Sequence, residues 1–220
     1  MFVDRIEAGQ KLAEKLESIG PFDDPIILAL PRGGVPVAYE VAKRLHAPLD
    51  VIIVRKLGAP FNKEFAIGAL VEGEPERVVL NEEAVYQLGV GKEYLDQVVS
   101  EEREELHRRQ TLYRGSQNPL ENLSGKTVIL IDDGIATGYT MKAALAAIRE
   151  QSPASIIVAV PLAPMDTLPE MERLADRVIV LETPEPFWAV GAHYERFDQT
   201  SDEEVIELLR KSRENNQASS

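Results

Sequence analysis

The stretch that decides the fold is VILIDDGIATGYTMKAAL, residues 128–145. Its first four residues are apolar without alternation, which is typical of a strand buried on both faces of a parallel sheet. Two adjacent carboxylates, Asp132 and Asp133, follow this run, and a loop of small residues then leads into a helical pattern. Ligands of open α/β sheets bind at the carboxyl ends of the strands, where this loop must lie. The stretch therefore predicts a strand, a binding loop and a helix, in that order.

Four further apolar runs share the pattern of residues 128–131. They are IILAL at 26–30, VIIV at 51–54, IIVAV at 156–160 and VIVL at 178–181. Helical patterns lie between them at 36–45, 139–151 and 166–174, and Pro169 interrupts the last of these patterns. Strands that alternate with helices predict an α/β fold with an open, mostly parallel sheet flanked by helices.

Residues 61–121 interrupt this alternation. A hairpin is expected from 65–71 and 77–80, followed by a charged helix at 93–113 and a loop, GSQNPLEN, at 115–122. We interpret the region as an insertion within a single domain that spans residues 1–211. The polar residues 212–220 are expected to form a disordered tail.

The composition excludes several classes of protein. The 220 residues carry 24 Lys and Arg against 37 Asp and Glu, and the net charge of −13 disfavours binding to DNA, RNA or anionic membranes. The absence of cysteine excludes disulfides, Cys-ligated metal sites and a cysteine nucleophile. The three histidines are too widely spaced for a zinc-protease motif, so no protein metal site is predicted. With no long apolar stretch and no signal-peptide pattern, the sequence predicts a soluble, cytoplasmic protein.

The loop after the two carboxylates has the composition of an anion site. It contains Gly134, Ala136, Thr137, Gly138 and Thr140. These residues would place backbone N–H groups and hydroxyls at a helix N-terminus, where a phosphate binds. Asp132 and Asp133 would repel that phosphate at close range, so they are expected to face a different part of the same ligand. Ionised carboxylates only accept hydrogen bonds, which suits a vicinal diol. A diol a few bonds from a phosphate describes ribose 5-phosphate. The alternative is a carboxylate that merely caps the next helix.

Two more segments open at the same edge of the predicted sheet. LPRGGVPVA, at 30–38, places Arg32, Gly33 and Gly34 between a strand and a helix, where consecutive glycines beside a guanidinium form a nest for an anion. VRKLG, at 54–58, ends a strand with Arg55 and Lys56 in an otherwise acidic chain. A tight strand-to-helix turn and a solvated strand end are the respective alternatives.

Together these segments resemble the type I phosphoribosyltransferase family. VILIDDGIATGYT is similar to the family's motif for 5-phosphoribosyl-1-diphosphate (PRPP), LPRGGVPVA to its diphosphate loop, and VRKLG to a strand end that supplies a cation before a flexible loop. The resemblance covers about residues 26–181. Gly134 departs from it, because the family usually has an apolar residue there. Ala136 stands where hypoxanthine-guanine enzymes carry Asp, which argues against a 6-oxopurine substrate without establishing adenine.

The resemblance implies an enzyme of nucleotide salvage that transfers the phosphoribosyl group of PRPP to a nitrogenous-base acceptor and releases diphosphate. Asp132 and Asp133 would hold the ribose hydroxyls. The 5-phosphate would be held by Ala136, Thr137, Gly138, Tyr139 and Thr140. The diphosphate would be held by Arg32, Gly33 and Gly34, with Arg55 or Lys56 nearby. Mg²⁺ would be carried mainly by oxygens of the substrate.

The acceptor side is less determined by the sequence. Aromatic residues, Trp188 among them, concentrate at 184–205 and would be able to stack on a base. A small hood is therefore expected either at 182–205 or in the 61–121 insertion, and an aromatic lid that only covers the sheet edge is the alternative. Two other functions stay open: a regulatory protein that senses PRPP without turnover, and a catalytic fold kept as a platform for a partner protein. The oligomeric state also stays open, a homodimer included.

Overall fold

The computed structural model describes residues 1–73, 75–115 and 123–218. Within these ranges, five strands form a parallel sheet: β1 (Pro25–Ala29), β2 (Leu49–Val51), β6 (Thr127–Ile131), β7 (Ser155–Leu162) and β8 (Arg177–Glu182). Their order in the sheet is β2-β1-β6-β7-β8. The open parallel sheet that the apolar runs predict is confirmed. Residues 116–122 of the predicted loop at 115–122 lie outside the described residues.

Helices cover both faces of this sheet. One face carries α1 (Arg5–Ile19), α2 (Gly34–Leu45) and α7 (Asp202–Ala218), and the other carries α5 (Tyr139–Glu150) and α6 (Leu168–Leu174). Neighbouring strand residues face opposite sides, since Ile129 packs with the core under α1 and α2 while Leu130 packs with the core under α5. Burial on both faces explains the continuous apolar strand sequences. No helix in the described ranges is long and apolar enough to cross a membrane.

A second, antiparallel sheet lies beside the first. Its strands β3 (Val54–Ala59), β4 (Asn62–Val71) and β5 (Arg77–Leu80) pair in that order, and α3 (Glu82–Gln87) and α4 (Lys92–Arg114) follow. The predicted hairpin and charged helix are confirmed, but the interruption of the strand-helix alternation begins at residue 54 rather than 61.

The single strand predicted at 51–54 is wrong. β2 ends at Val51, and the chain crosses through Ile52 and Ile53 into the second sheet, which begins at Val54. Both isoleucines are fully buried at the crossing. A continuous apolar run therefore arises here from a connection between two sheets, and local periodicity does not distinguish it from a buried strand.

A buried ion pair joins the second sheet to α4. The Glu72 carboxylate, directly after β4, binds the Arg114 guanidinium and accepts a hydrogen bond from the Ile53 backbone N at 2.7 Å. Oδ1 of Asp50 lies 3.8 Å from Nη1 of Arg114. Burial raises the pKa of Asp50 to about 6 and also raises the pKa of Glu72, while Arg114 opposes both shifts. The cluster connects the two sheets through charges that are costly to desolvate.

The C-terminal helix α7 corrects the prediction of a disordered tail at 212–220. The helix continues through residue 218, and the last two residues lie outside the described part of the chain. Arg210 pairs with Glu214 one turn later, and Nδ2 of Asn216 donates to the Ala47 carbonyl oxygen at 3.4 Å. Ion pairs at helical spacing and a tertiary contact stabilise a segment whose polar composition alone favours disorder.

Pro169 begins a helix rather than interrupting one. A 3-10 turn at Met165–Thr167 comes first, and Pro169 lies in the first turn of α6. A proline is tolerated there because the N–H that it lacks has no intrahelical partner.

Candidate functional site

Two adjacent carboxylates lie at the carboxyl end of β6, where the sequence predicts the binding loop. Asp132 and Asp133 directly follow this strand, and both are only slightly exposed to solvent. Oδ1 of Asp132 accepts a hydrogen bond from the Asp133 backbone N at 2.8 Å, which fixes the turn between them. Because ionised carboxylates only accept hydrogen bonds, the pair forms an acceptor-rich site at the sheet edge.

The loop after β1 packs directly on this carboxylate pair because it contains two glycines. A Cβ at Gly33 would lie 2.1 Å from Oδ2 of Asp133, and a Cβ at Gly34 would lie 2.9 Å from the Asp132 Cα. Both distances are far below van der Waals contact, so any side chain would force the two loops apart. The glycines of the RGG segment and the two carboxylates therefore lie side by side, as one site requires.

Burial raises the pKa of both carboxyls, and at Asp132 the charge of the neighbouring Asp133 adds to the shift. Burial is the main cause at Asp132 and the neighbouring Asp133 the second, and together they hold the pKa of Asp132 well above its usual range. Burial also raises the pKa of Asp133, although the guanidinium of Arg5 offsets part of that shift. Two carboxyls in contact titrate as a pair. Shifted carboxyls in a cleft are typical of functional sites.

The small-residue loop forms a cavity of about 160 Å³ beside Asp132. The predicted loop residues all line it: Ala136, Thr137, Gly138, Tyr139 and Thr140. Gly138 has a φ of +72°, a left-handed conformation that glycine adopts without strain, and α5 begins at the next residue. The first-turn N–H groups of α5 lack helical partners and lie at this cavity. The arrangement is suited to bind an anion of the size of phosphate.

The structure separates the two cations that end β3. Lys56 is exposed, lines the same cavity, and acts electrostatically on Asp132. Arg55 is instead paired with Glu102 of α4, and its Nε lies 2.7 Å from Oε2 of that residue. Neighbouring residues of a strand point to opposite faces, which explains the difference. Of the two candidates, Lys56 is the one at the cavity.

Arg32 lies beside the glycines but is restrained by α7. Its Nη1 is 3.8 Å from Oδ1 of Asp202, and its side chain is 27% exposed. The same oxygen accepts a hydrogen bond from the Tyr113 hydroxyl at 2.5 Å. Arg108 Nη2 lies 3.6 Å from the other oxygen of Asp202. Arg32 is therefore accessible to a ligand at the RGG loop, while Asp202 limits where its guanidinium lies.

Residues 184–200, part of one region expected to form a hood, cover the carboxylate loop. The Tyr194 hydroxyl donates to the Asp133 carbonyl oxygen at 2.6 Å. A Cβ at Gly134 would lie 2.7 Å from Cγ1 of Val190, so Val190 occupies the space of a side chain there. This contact accounts for the glycine at 134, because Val190 fills the space that a side chain there would need.

The aromatic rings of the covering segment mostly pack on one another. Phe187 lies 5.3 Å from the His193 ring, and Tyr194 lies 5.1 Å from Phe197, measured between ring centroids. Trp188, the predicted stacking residue, is 81% exposed and so is far more accessible to a ligand than Phe197 at 37%. The rings of the segment thus build the cover itself, and Trp188 stays at its surface.

Arg5 is a site residue that the sequence reasoning missed. Its Nε donates to Oδ2 of Asp133 at 2.8 Å, and its Nη1 donates to the Asp198 carbonyl oxygen at 2.7 Å. The guanidinium carbon also lies 3.8 Å from the ring centroid of Phe197. One signal is present in the sequence. A cation in the first turn of a helix meets the positive end of the helix dipole, so it needs a partner from elsewhere.

Comparisons with known proteins relate this chain to one family. The family model of the phosphoribosyl transferase domain matches residues 4–196 of this chain. The chain is 43% identical over 209 residues to "Putative phosphoribosyl transferase Rv0571c" of Mycobacterium tuberculosis, covering 95% of this chain and 46% of that relative, so it spans about half the relative's length. The crystal structure of TT1426 from Thermus thermophilus has a TM-score of 0.79 at 41% identity and covers 96% of this chain and 98% of that one. AQ2163 from Aquifex aeolicus, with a TM-score of 0.50 at 13% identity over 85% of this chain and 76% of its own, shares the fold alone.

Proposed function

This chain belongs to the phosphoribosyl transferase domain family, and from that premise we propose that it transfers the 5-phosphoribosyl group of PRPP to a nitrogenous-base acceptor and releases diphosphate. One observation carries the proposal. Asp132 lines the phosphate-sized cavity, while its neighbour Asp133 touches the loop of Gly33. PRPP carries a phosphate, a vicinal diol and a diphosphate, and the site offers an anion cradle, two acceptors and a glycine loop in the matching order.

In the proposed complex, each part of the donor has its own partner. The N-terminus of α5 holds the 5-phosphate through backbone N–H groups. Asp132 and Asp133 accept hydrogen bonds from the ribose hydroxyls. The backbone of Arg32 and Gly33, which lies against Asp133, binds the diphosphate, and Lys56 and Arg32 supply positive charge on the two flanks of the carboxylates.

The same groups favour the reaction step. As the bond from the ribose carbon to the diphosphate oxygen breaks, positive charge develops on the ring. The acceptor nitrogen then bonds to that carbon and releases its proton to water. The carboxylates of Asp132 and Asp133 stabilise the developing charge, while Lys56 and Arg32 stabilise the leaving diphosphate. Preorganised charges of this kind are usually the largest single contribution to catalysis.

The family implies Mg²⁺, and the residues present fit an ion that arrives with the substrate. In the described part of the chain, no three His, Cys, Asp or Glu side chains form a group able to hold a metal. Mg²⁺ commonly keeps its waters and binds through substrate phosphates. The ion would therefore be held by oxygens of the diphosphate and ribose, where it would neutralise the leaving group together with Lys56 and Arg32.

The acceptor is expected on the side of the covering segment at 184–200. The exposed ring of Trp188 is available to stack on a planar base. Ala136 offers no carboxylate to an incoming base, which keeps 6-oxopurines disfavoured as acceptors.

The experiment that tests the proposal is turnover of PRPP with Mg²⁺ against a panel of purines, pyrimidines and related rings, with diphosphate release as the readout. A parallel thermal melt measures binding without turnover. PRPP at about 100 times its Kd should stabilise the fold by about 2.7 kcal/mol, because the cradle exists only in the folded chain. If PRPP raised the melting temperature but no ring of the panel caused diphosphate release, the result would support a sensing protein instead. A melt unmoved by millimolar PRPP would contradict the proposal.

A further inference from the structure

Arg5, the first residue of α1, forms an ion pair with Asp133 of the proposed ribose site, and this pair is more buried than an ordinary surface ion pair. The side chains of Arg5 and Asp133 are each only 13% exposed where their Nε and Oδ2 atoms meet. Exposed ion pairs contribute little because water and salt screen them. This pair is largely shielded from solvent, so its electrostatic effect on the carboxylate is correspondingly large.

Several contacts fix the guanidinium of Arg5. The Asp198 carbonyl oxygen accepts from Nη1 at 2.7 Å, and the Phe197 ring lies 3.8 Å from the guanidinium carbon. Asp4 caps α1, since its Oδ1 accepts from the backbone N atoms of Ile6 and Glu7 at 3.0 Å each. The helix start and the covering segment together hold Arg5 against the carboxylate.

We propose that Arg5 is a positioning residue, which holds the Asp133 carboxylate in place and balances its charge so that it can accept from the ribose. The inference rests on the function proposed above. Arg5 uses Oδ2 of Asp133, and an ionised carboxylate offers about four acceptor positions, so capacity remains for a hydroxyl.

The charged and titratable groups around Asp133 explain why such a residue is needed. Asp132 adjoins it with the same charge, and the Tyr194 hydroxyl is bonded to its carbonyl oxygen. Lys56 acts on Asp132, and Arg5 acts on Asp133 itself. Burial raises the pKa of Asp133, and Arg5 opposes that rise. Without Arg5 the pair would take up a proton at higher pH and lose both negative charge and an acceptor.

The test compares Arg5→Gln and Arg5→Lys with a matched control, Arg196→Gln. Arg196 pairs with Asp4 and is 65% exposed, so the control removes an arginine from the same junction without touching the carboxylates. Calorimetry measures the Kd of PRPP with Mg²⁺ from pH 5 to pH 9. Titration of the ligand's phosphates is common to all variants and cancels in the comparison.

The acid-side loss of affinity should move to higher pH by about one pH unit in Arg5→Gln, and by less in Arg5→Lys, which keeps a cation. Arg196→Gln should follow the unmodified protein. An Arg5→Gln profile that coincides with that of the unmodified protein would overturn the inference. If the Gln substitution prevents folding, Arg5→Lys is the test variant, and the acid-side loss of its PRPP affinity should still lie at higher pH than in the unmodified protein. A profile of Arg5→Lys that coincides with that of the unmodified protein would then overturn the inference.

A readout without ligand separates this inference from the proposed function. Carboxyl carbon NMR of the unliganded protein, assigned with Asp133→Asn, follows the titration of the carboxylate pair directly. The midpoint should rise in Arg5→Gln even if PRPP proves not to bind. An unmoved midpoint would overturn the role of Arg5, whereas absence of PRPP binding to the unmodified protein would overturn only the proposed function.

Discussion

Asp132→Asn separates the charge of the site from its packing. Asn keeps the size of the side chain and an oxygen that accepts the 2.8 Å hydrogen bond from the Asp133 backbone N. The substitution removes the negative charge that would stabilise the ribose ring as diphosphate leaves. We therefore expect a large loss of kcat/KM with the fold intact.

The size of this loss follows from the geometry of a partly buried charge. Two unit charges about 4 Å apart interact by about 4 kcal/mol at an effective dielectric constant of about 20. The ring carries only part of a unit charge in the transition state, so loss of one carboxylate should cost about 3 kcal/mol, or about 100-fold in kcat/KM. The Kd of PRPP should change much less, because the donor is itself an anion and loses a repulsive neighbour.

Stability should change in the opposite direction. Burial and Asp133 raise the pKa of Asp132, which means that the folded state disfavours its ionised form. Above that raised pKa, the ionised carboxylate therefore destabilises the fold, and Asn removes the penalty. The melting temperature of Asp132→Asn at pH 8 should be equal to or above that of the unmodified protein.

Asp176→Asn is the matched control at the opposite edge of the sheet. Although burial raises the pKa of Asp176, its hydrogen bond from the Ile156 backbone N at 2.7 Å and its pairing with Arg149 lower it overall. This substitution should lower the melting temperature and leave turnover unchanged. Diphosphate release and calorimetric melting are measured on the same preparations. If Asp132→Asn kept full turnover and melted lower, the role of Asp132 would be structural, through its bond to the Asp133 backbone N, and the reasoning would be refuted.

Lys56→Ala should lower kcat/KM for PRPP by about tenfold or more, because it removes the cation at the cavity. Arg55→Ala only breaks an ion pair with α4, so it should change kcat/KM by less than about twofold. Equal effects of the two in a diphosphate-release assay would contradict their separation by the strand. Gly134→Ala should destabilise the fold by about 1 to 3 kcal/mol in urea unfolding, because its Cβ would lie 2.7 Å from Val190, and Val190→Ala in the same chain should restore part of the loss. Strict additivity of the two substitutions would argue against that contact. Asp50→Asn should stabilise the protein at pH 7.5 by at most about 3 kcal/mol and have little effect at pH 4. The reason is that the pKa of Asp50 is raised to about 6, so ionisation of this carboxyl lowers the stability of the fold as the pH rises from about 4 to 6. Thermal melts at the two pH values check this, and a stabilisation confined to pH 4 would reverse the sign of the argument.

The central strands and the binding loop were predictable because their signals are local. The run at 128–131 is apolar throughout since both of its faces are covered, and the small residues after it have few roles other than a tight loop. The glycines at 33 and 34 were predictable as a loop, but the reason for them lies elsewhere in the chain. They leave room for Asp132 and Asp133, which no local pattern shows.

The remaining features depend on contacts between distant residues. Ile52 and Ile53 belong to a connection between two sheets, and only the position of the second sheet distinguishes this from a strand. Arg5 meets Asp133 across 128 positions of sequence. Whether Arg55 or Lys56 enters the site depends on which face of β3 is turned toward α4, and the order of two cations does not specify that face.

The contact between Tyr194 and Asp133 also has a consequence for a chain that is still being made on the ribosome. Tyr194 follows Asp133 by 61 residues, which take about 3 to 12 s to add at about 5 to 20 residues per second. During that interval the residues of β8 are added, while those of the segment that covers the carboxylate loop are not yet made. Translation therefore makes all five strands of the parallel sheet before it makes the cover of the site. A chain released after β8 would have every strand of this sheet but no cover over Asp132 and Asp133.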